Sequence, residues 1–238
     1  MATTTALVTG ANKGLGRETV RRLAALGWDV FLASRDERRG NAAVEDLAEE
    51  GLEVRFIALD VTSDESVAAA ADSVKTQVGR LDVLVNNAGV GGPVNPPAET
   101  RAAELRDVFE VNVLGPIRVT NAFLPLLRAA EWPRIVMVSS GMGSFAVANN
   151  PRWSGMMPAQ LGYPASKAAL NMVTNQYARG LRGIRVNAVD PGYTATDLTG
   201  HQGLQTVNEG TDAIVRLATI GPDGPTGGFF NREGTVAW

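Results

Sequence analysis

Apolar and β-branched residues gather in short runs along the chain: 6–9, 30–33, 54–59, 83–85, 135–138 and 184–189. Each run is too short for a helix and is apolar at consecutive positions, the pattern of a strand covered on both faces. Between the runs the spacing turns helical. Val20, Leu23 and Ala24 recur at i, i+3 and i+4 with Gly27 as a stop signal, and the same alternation continues through Val67 to Val78 and Leu105 to Leu127. Strands separated by helix-length crossovers predict an α/β fold, a doubly wound parallel sheet of about seven strands with helices on both faces. Pro93, Pro96 and Pro97 mark a loop and no boundary, because strands continue in the same style beyond them. A single domain over residues 1–238 is the expectation.

Composition narrows the function. Apolar residues are 45% and charged residues 20%, which sets disorder and coiled coil aside. A net charge of −3 offers no basic field for a phosphate backbone, so no nucleic-acid partner is expected. Cysteine is absent, which removes disulfides, thiolate nucleophiles and thiolate-bound metals. His201 is the only histidine, cannot form a multi-histidine metal cage and reads as a solvated loop residue. The first residues lack the basic and apolar regions of a signal peptide, and no apolar run reaches membrane-spanning length. The expectation is a cytoplasmic protein with neither a membrane partner nor a metal.

The first run ends in Thr9-Gly10-Ala11-Asn12-Lys13-Gly14-Leu15-Gly16, placing three glycines between a predicted strand and a predicted helix. Gly10 suits a tight turn, Gly14 a close approach of backbone to pyrophosphate, and Gly16 close packing of helix on sheet. The helix N-terminus would then direct its free N–H groups at the anion. The second strand ends Ala33-Ser34-Arg35, where an NAD site usually carries a carboxylate for the ribose hydroxyl. Ser34 is uncharged, Arg35 offers a fork suited to a 2′-phosphate, and Lys13 adds a second positive charge. NADP(H) in preference to NAD(H) is therefore expected, with Asp36 and the charge run Arg35 to Arg39 as the opposing consideration.

Further motifs follow in order. They are Asp60-Val61, Asn86-Asn87-Ala88-Gly89, Asn112, the pair Ser139-Ser140, Tyr163-x-x-x-Lys167, and Pro191-Gly192 with Thr196. Together with the glycine loop this set resembles the short-chain dehydrogenase/reductase family over essentially the whole chain, and within it the NADPH-dependent carbonyl reductases. The resemblance implies a Rossmann-like fold with a cofactor half at about 1–130 and a catalytic and substrate half at about 131–238. It implies a catalytic tetrad of Asn112, Ser140, Tyr163 and Lys167. Cofactor contacts are implied at Gly10, Asn12, Lys13, Gly14, Leu15, Gly16, Ser34, Arg35, Asp60, Val61, Asn87, Ala88, Gly89, Tyr163, Lys167, Pro191, Gly192, Thr194 and Thr196.

The implied reaction reduces an aldehyde, ketone or quinone to an alcohol. Hydride transfer leaves an alkoxide that needs a proton donor. Tyr163 and Lys167 are four apart, so on a helix they share a face and the ammonium would favour the phenolate, with Pro164 as the first helical residue. The chain has 19 Arg and three Lys, at 13, 75 and 167, so two of three lysines fall inside motifs. A compact ammonium with a movable proton is what a proton relay requires. Ser139 and Ser140 compete for the substrate-orienting role, because strand alternation aims only one of them at the site. Pro116 lacks the N–H that would bond the carbonyl of Asn112, so it should free that carbonyl and kink the helix. The resemblance implies that this carbonyl links Lys167 to solvent through a water.

Specificity is expected in residues 141–162, where Met142, Phe145, Trp153, Met156 and Met157 suit an apolar carbonyl substrate or else anchor a long loop. Residues 197–210 suit a lid. Two functions stay open at this point: a carbonyl reductase, and a redox sensor or scaffold that binds NADP(H) without turnover. A monomer is favoured over a homodimer or tetramer, because the long Ser140-to-Tyr163 segment could cover the face through which such proteins commonly pair.

Overall fold

The structure, a computed structural model, describes residues 3–151 and 158–238. Its frame is one sheet in the order β3-β2-β1-β4-β5-β6-β7-β8. The strands are β1 (Thr5–Thr9), β2 (Asp29–Ser34), β3 (Arg55–Ala58), β4 (Val83–Asn86), β5 (Arg134–Val138), β6 (Arg185–Val189), β7 (Phe229–Asn231) and β8 (Gly234–Thr235). All pair in parallel except β7 with β8. The six apolar runs are the first six strands. The sheet exceeds the expected seven strands by one, the two-residue antiparallel β8 at its edge.

The helices are α1 (Gly14–Ala24), α2 (Glu37–Glu49), α3 (Asp64–Val78), α4 (Ala102–Phe109), α5 (Gly115–Arg128), α6 (Phe145–Ala148), α7 (Gly162–Gly180), α8 (Val207–Gly210) and α9 (Asp212–Ala218). Strand periodicity sorts the core into two layers. Leu7, Phe31, Leu84, Ile135 and Met137 pack on one face against Val67 of α3, Phe123 of α5 and Leu170 of α7. Ala6, Val8, Val30, Leu32 and Val136 pack on the other against Leu23 of α1, Leu47 of α2 and Leu217 of α9. Fully burying side chains of this size contributes about 1.5–3 kcal/mol each, so both layers hold the strand ends in register.

Local signals explain the helix limits. Ser63 caps α3 by accepting from the Ser66 N–H at 3.1 Å, Asp64 and Glu65 sit in its positive first turn, and Gly79 closes it in the left-handed conformation. α1 differs: Lys13 stands at its N-cap and no side chain caps it. Strand order reverses between β1 and β4, and at such a switch point the carboxyl ends of the strands open a crevice. Among the described residues, no helix is long and apolar enough to cross a membrane, and no cluster of three His, Cys, Asp or Glu side chains could hold a metal.

Candidate active site

A cleft of about 470 Å³ lies at this switch point. One end is built from the glycine loop. Gly10 has φ of 62°, and a Cβ there would come within 2.9 Å of the Ala88 Cα, so turn and strand contact both require glycine. A Cβ on Gly16 would meet the Asn87 side chain and the Gly10 carbonyl at 2.6 Å. The loop is fastened to the end of β4 from both sides. Thr9 Oγ1 accepts from the Asn87 and Ala88 N–H groups at 3.0 Å each, and Asn87 Nδ2 donates to the Thr9 carbonyl at 2.8 Å. The uncapped first turn of α1, behind a loop that glycine keeps clear, is the donor set an anionic pyrophosphate requires.

Ser34 and Arg35 line the cleft beside Asn12, Lys13 and Leu15. Asp36 is occupied elsewhere. Its carboxylate caps α2 by accepting from the Arg39 N–H at 3.0 Å and pairs with the Arg39 guanidinium at 3.4 Å. The wall therefore presents Arg35 and Lys13 without that opposing carboxylate. Asp60 and Val61 line the cleft with Leu59 and Thr62. Burial alone would raise the Asp60 carboxyl pKa. The N–H and hydroxyl of Thr62, at 2.9 and 2.7 Å, with Arg35 and Arg118, hold it below its usual value.

At the other end stand Tyr163 and Lys167, on the first turns of α7. The helix begins at Gly162, so Pro164 is its third residue and not its first; no N–H bond is lost, since first-turn donors have no intrahelical partner. Lys167 is buried, its Nζ donates to the Val138 carbonyl at 2.8 Å and lies 5.5 Å from the Tyr163 ring centroid. Burial lowers the ammonium pKa to about 8. The expectation of a phenol lowered by this lysine is not met within the protein. Burial pushes the Tyr163 phenol up to about 12, a hydrogen bond with Ser140 opposes the rise, and the Asp190 charge adds to it.

The two serines divide their tasks. Ser139 is buried and its hydroxyl donates to Asn171 Oδ1 at 2.5 Å, while Asn171 Nδ2 donates to the Gly143 carbonyl at 3.1 Å. Ser140 is half-buried, accepts from the Met142 N–H at 3.2 Å and reaches Tyr163. Ser140 is thus the serine beside the phenol, and Ser139 ties the following turn to α7.

Asn112 lies in a π turn over Glu110–Leu114 between α4 and α5, closed by the Gly115 N–H on the Glu110 carbonyl. The irregularity sits where Pro116 places it, in the form of a widened turn. The Asn112 side chain is fully buried. It accepts from the Val90 N–H and donates to the Val90 carbonyl, both at 2.9 Å, and donates to Ser166 Oγ at 3.0 Å. It therefore pins the loop after β4 to α7 beside Lys167. Gly89 passes through the gap, where a Cβ would stand 3.3 Å from Asn112 Oδ1 and 3.5 Å from Lys167 Nζ.

Pro191 and Thr196 line the cleft, as do Ala88 and Gly89. Gly192 and Thr194 belong to the same loop but do not line the cleft. Thr194 is buried with its hydroxyl on the Pro191 carbonyl at 3.1 Å, so it shapes the loop from within. Asp197 and Leu198 also line the cleft, along with Val90, Gly91 and Val111. None of these five was singled out as a contact in the sequence, because none belongs to a motif. His201, solvent-facing as expected, pairs with Asp197 at 2.9 Å. Of the apolar candidates, Met142 is half-buried and Phe145 is exposed, while Trp153, Met156 and Met157 lie outside the described residues.

Residues 4–206 match the short chain dehydrogenase family. A (+)-neomenthol dehydrogenase of Arabidopsis thaliana is 36% identical, with 96% of each chain covered. A carbonyl reductase [NADPH] of Mus musculus is 33% identical, with 98% of each chain covered. Among solved structures, an NADPH-bound carbonyl reductase from chicken fatty liver superposes with a TM-score of 0.88 at 31% identity over the full length of both chains. The pairing with the Arabidopsis protein extends over 287 aligned positions against 238 residues here, so that relative carries insertions absent from this chain.

Proposed function

Because the chain belongs to the short-chain dehydrogenase family, we propose that it is an NADPH-dependent reductase converting an apolar aldehyde, ketone or quinone to the alcohol. The observation that carries this reading is a cleft with an uncapped helix N-terminus and the Lys13 and Arg35 side chains at one end and Tyr163 and Lys167 at the other, with Ser140 hydrogen-bonded to the Tyr163 phenol. The residues fit a dinucleotide. Gly10, Gly14 and Gly16 clear the way to the α1 N–H groups, with Asn12 and Leu15 beside them. Lys13, Ser34 and Arg35 suit a 2′-phosphate, Asp60 and Val61 the adenine, and Asn87, Ala88 and Gly89 the passage between. Pro191, Gly192, Thr194 and Thr196 form the loop for the nicotinamide, with Tyr163 and Lys167 toward its ribose. When bound, the dinucleotide supplies the hydride.

The protein's own part is orientation and the proton. Ser140 donates to the carbonyl oxygen and aligns it with Tyr163. Tyr163 gives its proton to the oxygen as charge develops there. An alkoxide is a far stronger base than a phenolate, so a phenol near 12 still transfers its proton downhill and stays in acid form at neutral pH. Lys167, held by Val138, places positive charge beside the phenolate that results. Asn112 fixes the backbone around this lysine. Leu198, exposed and lining the cleft, supports an apolar substrate there. The same reading carries the expectation of a monomer, which sedimentation velocity checks.

The test is consumption of NADPH, with NADH in parallel, against aldehydes, ketones, diketones and quinones of graded polarity. Turnover with NADPH preferred and apolar carbonyls favoured supports the reading. Tight NADPH binding with no turnover across the panel would favour the sensor instead.

A further inference from the structure

Asp190 follows the last residue of β6 and belongs to none of the sequence motifs, yet its carboxylate is held against the turn that carries Ser140. Its Oδ1 accepts from the Gly192 N–H at 3.0 Å, and the carboxylate also accepts from the Gly141 N–H. Its main chain is fixed as well, with the Asp190 N–H donating to the Phe230 carbonyl at 2.8 Å. The carboxylate and the serine turn are in direct contact, since a Cβ on Gly141 would stand 2.8 Å from Asp190 Oδ2. One side chain therefore joins the turn that carries Ser140 to the loop that carries Pro191 and Thr196.

We propose that Asp190 is a positioning residue of the catalytic centre: its carboxylate fastens the Ser140 turn to the loop after β6 and stands as a fixed charge behind the Ser140 and Tyr163 pair. This inference rests on the reductase reading for its purpose. Two charges act on the phenol from the elements packed around it. Lys167 on α7 stands 5.5 Å from the ring centroid, and Asp190 at the end of β6 disfavours the phenolate, with the neutral Ser140 hydroxyl hydrogen-bonded to the phenol. Burial raises the Asp190 carboxyl above its usual range, and the two N–H donors oppose that rise by stabilising the charged form. Burial already keeps the phenol in its acid form at working pH, and the Asp190 charge adds to this while leaving Lys167 to receive the phenolate after transfer.

The test is Asp190→Asn, which keeps the shape and removes the charge. The protein has three tyrosines, at 163, 177 and 193, so the Tyr163 signal is obtained as the tyrosinate absorbance of each protein minus that of its Tyr163→Phe counterpart. Toward the alkaline edge of the folded range, Asp190→Asn should show several-fold more Tyr163 phenolate than the wild type at the same pH. The high-pH limit of NADPH-dependent reduction should move down in parallel, by ~0.5–1 pH unit. Equal Tyr163 ionisation in both proteins would overturn the proposal, even if the variant were less active. Asp190→Ser serves the same comparison if the asparagine variant does not fold. The absorbance readout needs no turnover, so a wild type that reduces no carbonyl would count against the functional reading alone.

Discussion

The Lys13 ammonium and the Asp197 carboxylate meet at 2.5 Å although 184 positions separate them, joining the glycine loop to the loop after β6 at the rim of the cleft. Both side chains are more than half exposed, so the pair contributes little to stability. Its importance is for the charge presented to a ligand, because Asp197 competes for the cation that would face a 2′-phosphate.

On the proposed reading, Lys13 and Arg35 set the choice of cofactor. Removing either by alanine substitution should raise the KM for NADPH roughly ten-fold or more and leave that for NADH nearly unchanged. Asp197→Asn should not raise the NADPH KM, since Lys13 keeps its full charge. Parallel KM measurements with both cofactors check this, and an equal loss for NADPH and NADH would contradict it.

The serines should separate stability from catalysis. Ser139→Ala leaves buried Asn171 Oδ1 without its donor and should cost about 1–3 kcal/mol in denaturant unfolding, with kcat nearly intact. Ser140→Ala should lower kcat at nearly unchanged stability. The opposite pattern would reassign the two side chains.

Lys167 is held at a cost. Its pKa falls from 10.5 to about 8 on folding, so below pH 8 both folded and unfolded states bind the proton and the folded state bears the full desolvation penalty, on the order of 3 kcal/mol. Between pH 8 and 10.5 the unfolded state binds more protons, and the penalty fades as pH rises. Lys167→Met should therefore abolish activity yet stabilise the protein near pH 7 by about 2 kcal/mol, allowing for the lost bond to Val138. That gain should vanish by about pH 10.5, as thermal unfolding across this range would show.

Much of this was legible in the chain. Consecutive apolar positions located six strands, because burial on both faces leaves no polar alternation to misread. The glycine loop and the Tyr163 to Lys167 spacing are local patterns, so their neighbours in sequence are their neighbours in space. What escaped was long-range or short. β7 and β8 have three and two residues, too few for a periodicity to register. Asp197 meets Lys13 only because the strand order reverses, and Asp190 reads as an ordinary strand-end carboxylate until β5 and β6 pair and bring the Gly141 turn against it. Pro116 signalled an irregular helix at Asn112, but not that it would widen into a π turn.

Tyr163 is the proposed proton donor in a cofactor-dependent reduction. The most direct measurement is the kcat of the wild type and Tyr163→Phe with NADPH and an apolar ketone, beside NADPH binding by fluorescence titration. The predicted result is a fall in kcat of roughly 10²–10⁴-fold with binding unchanged. A variant that turns over as fast as the wild type, with the same affinity, would contradict it.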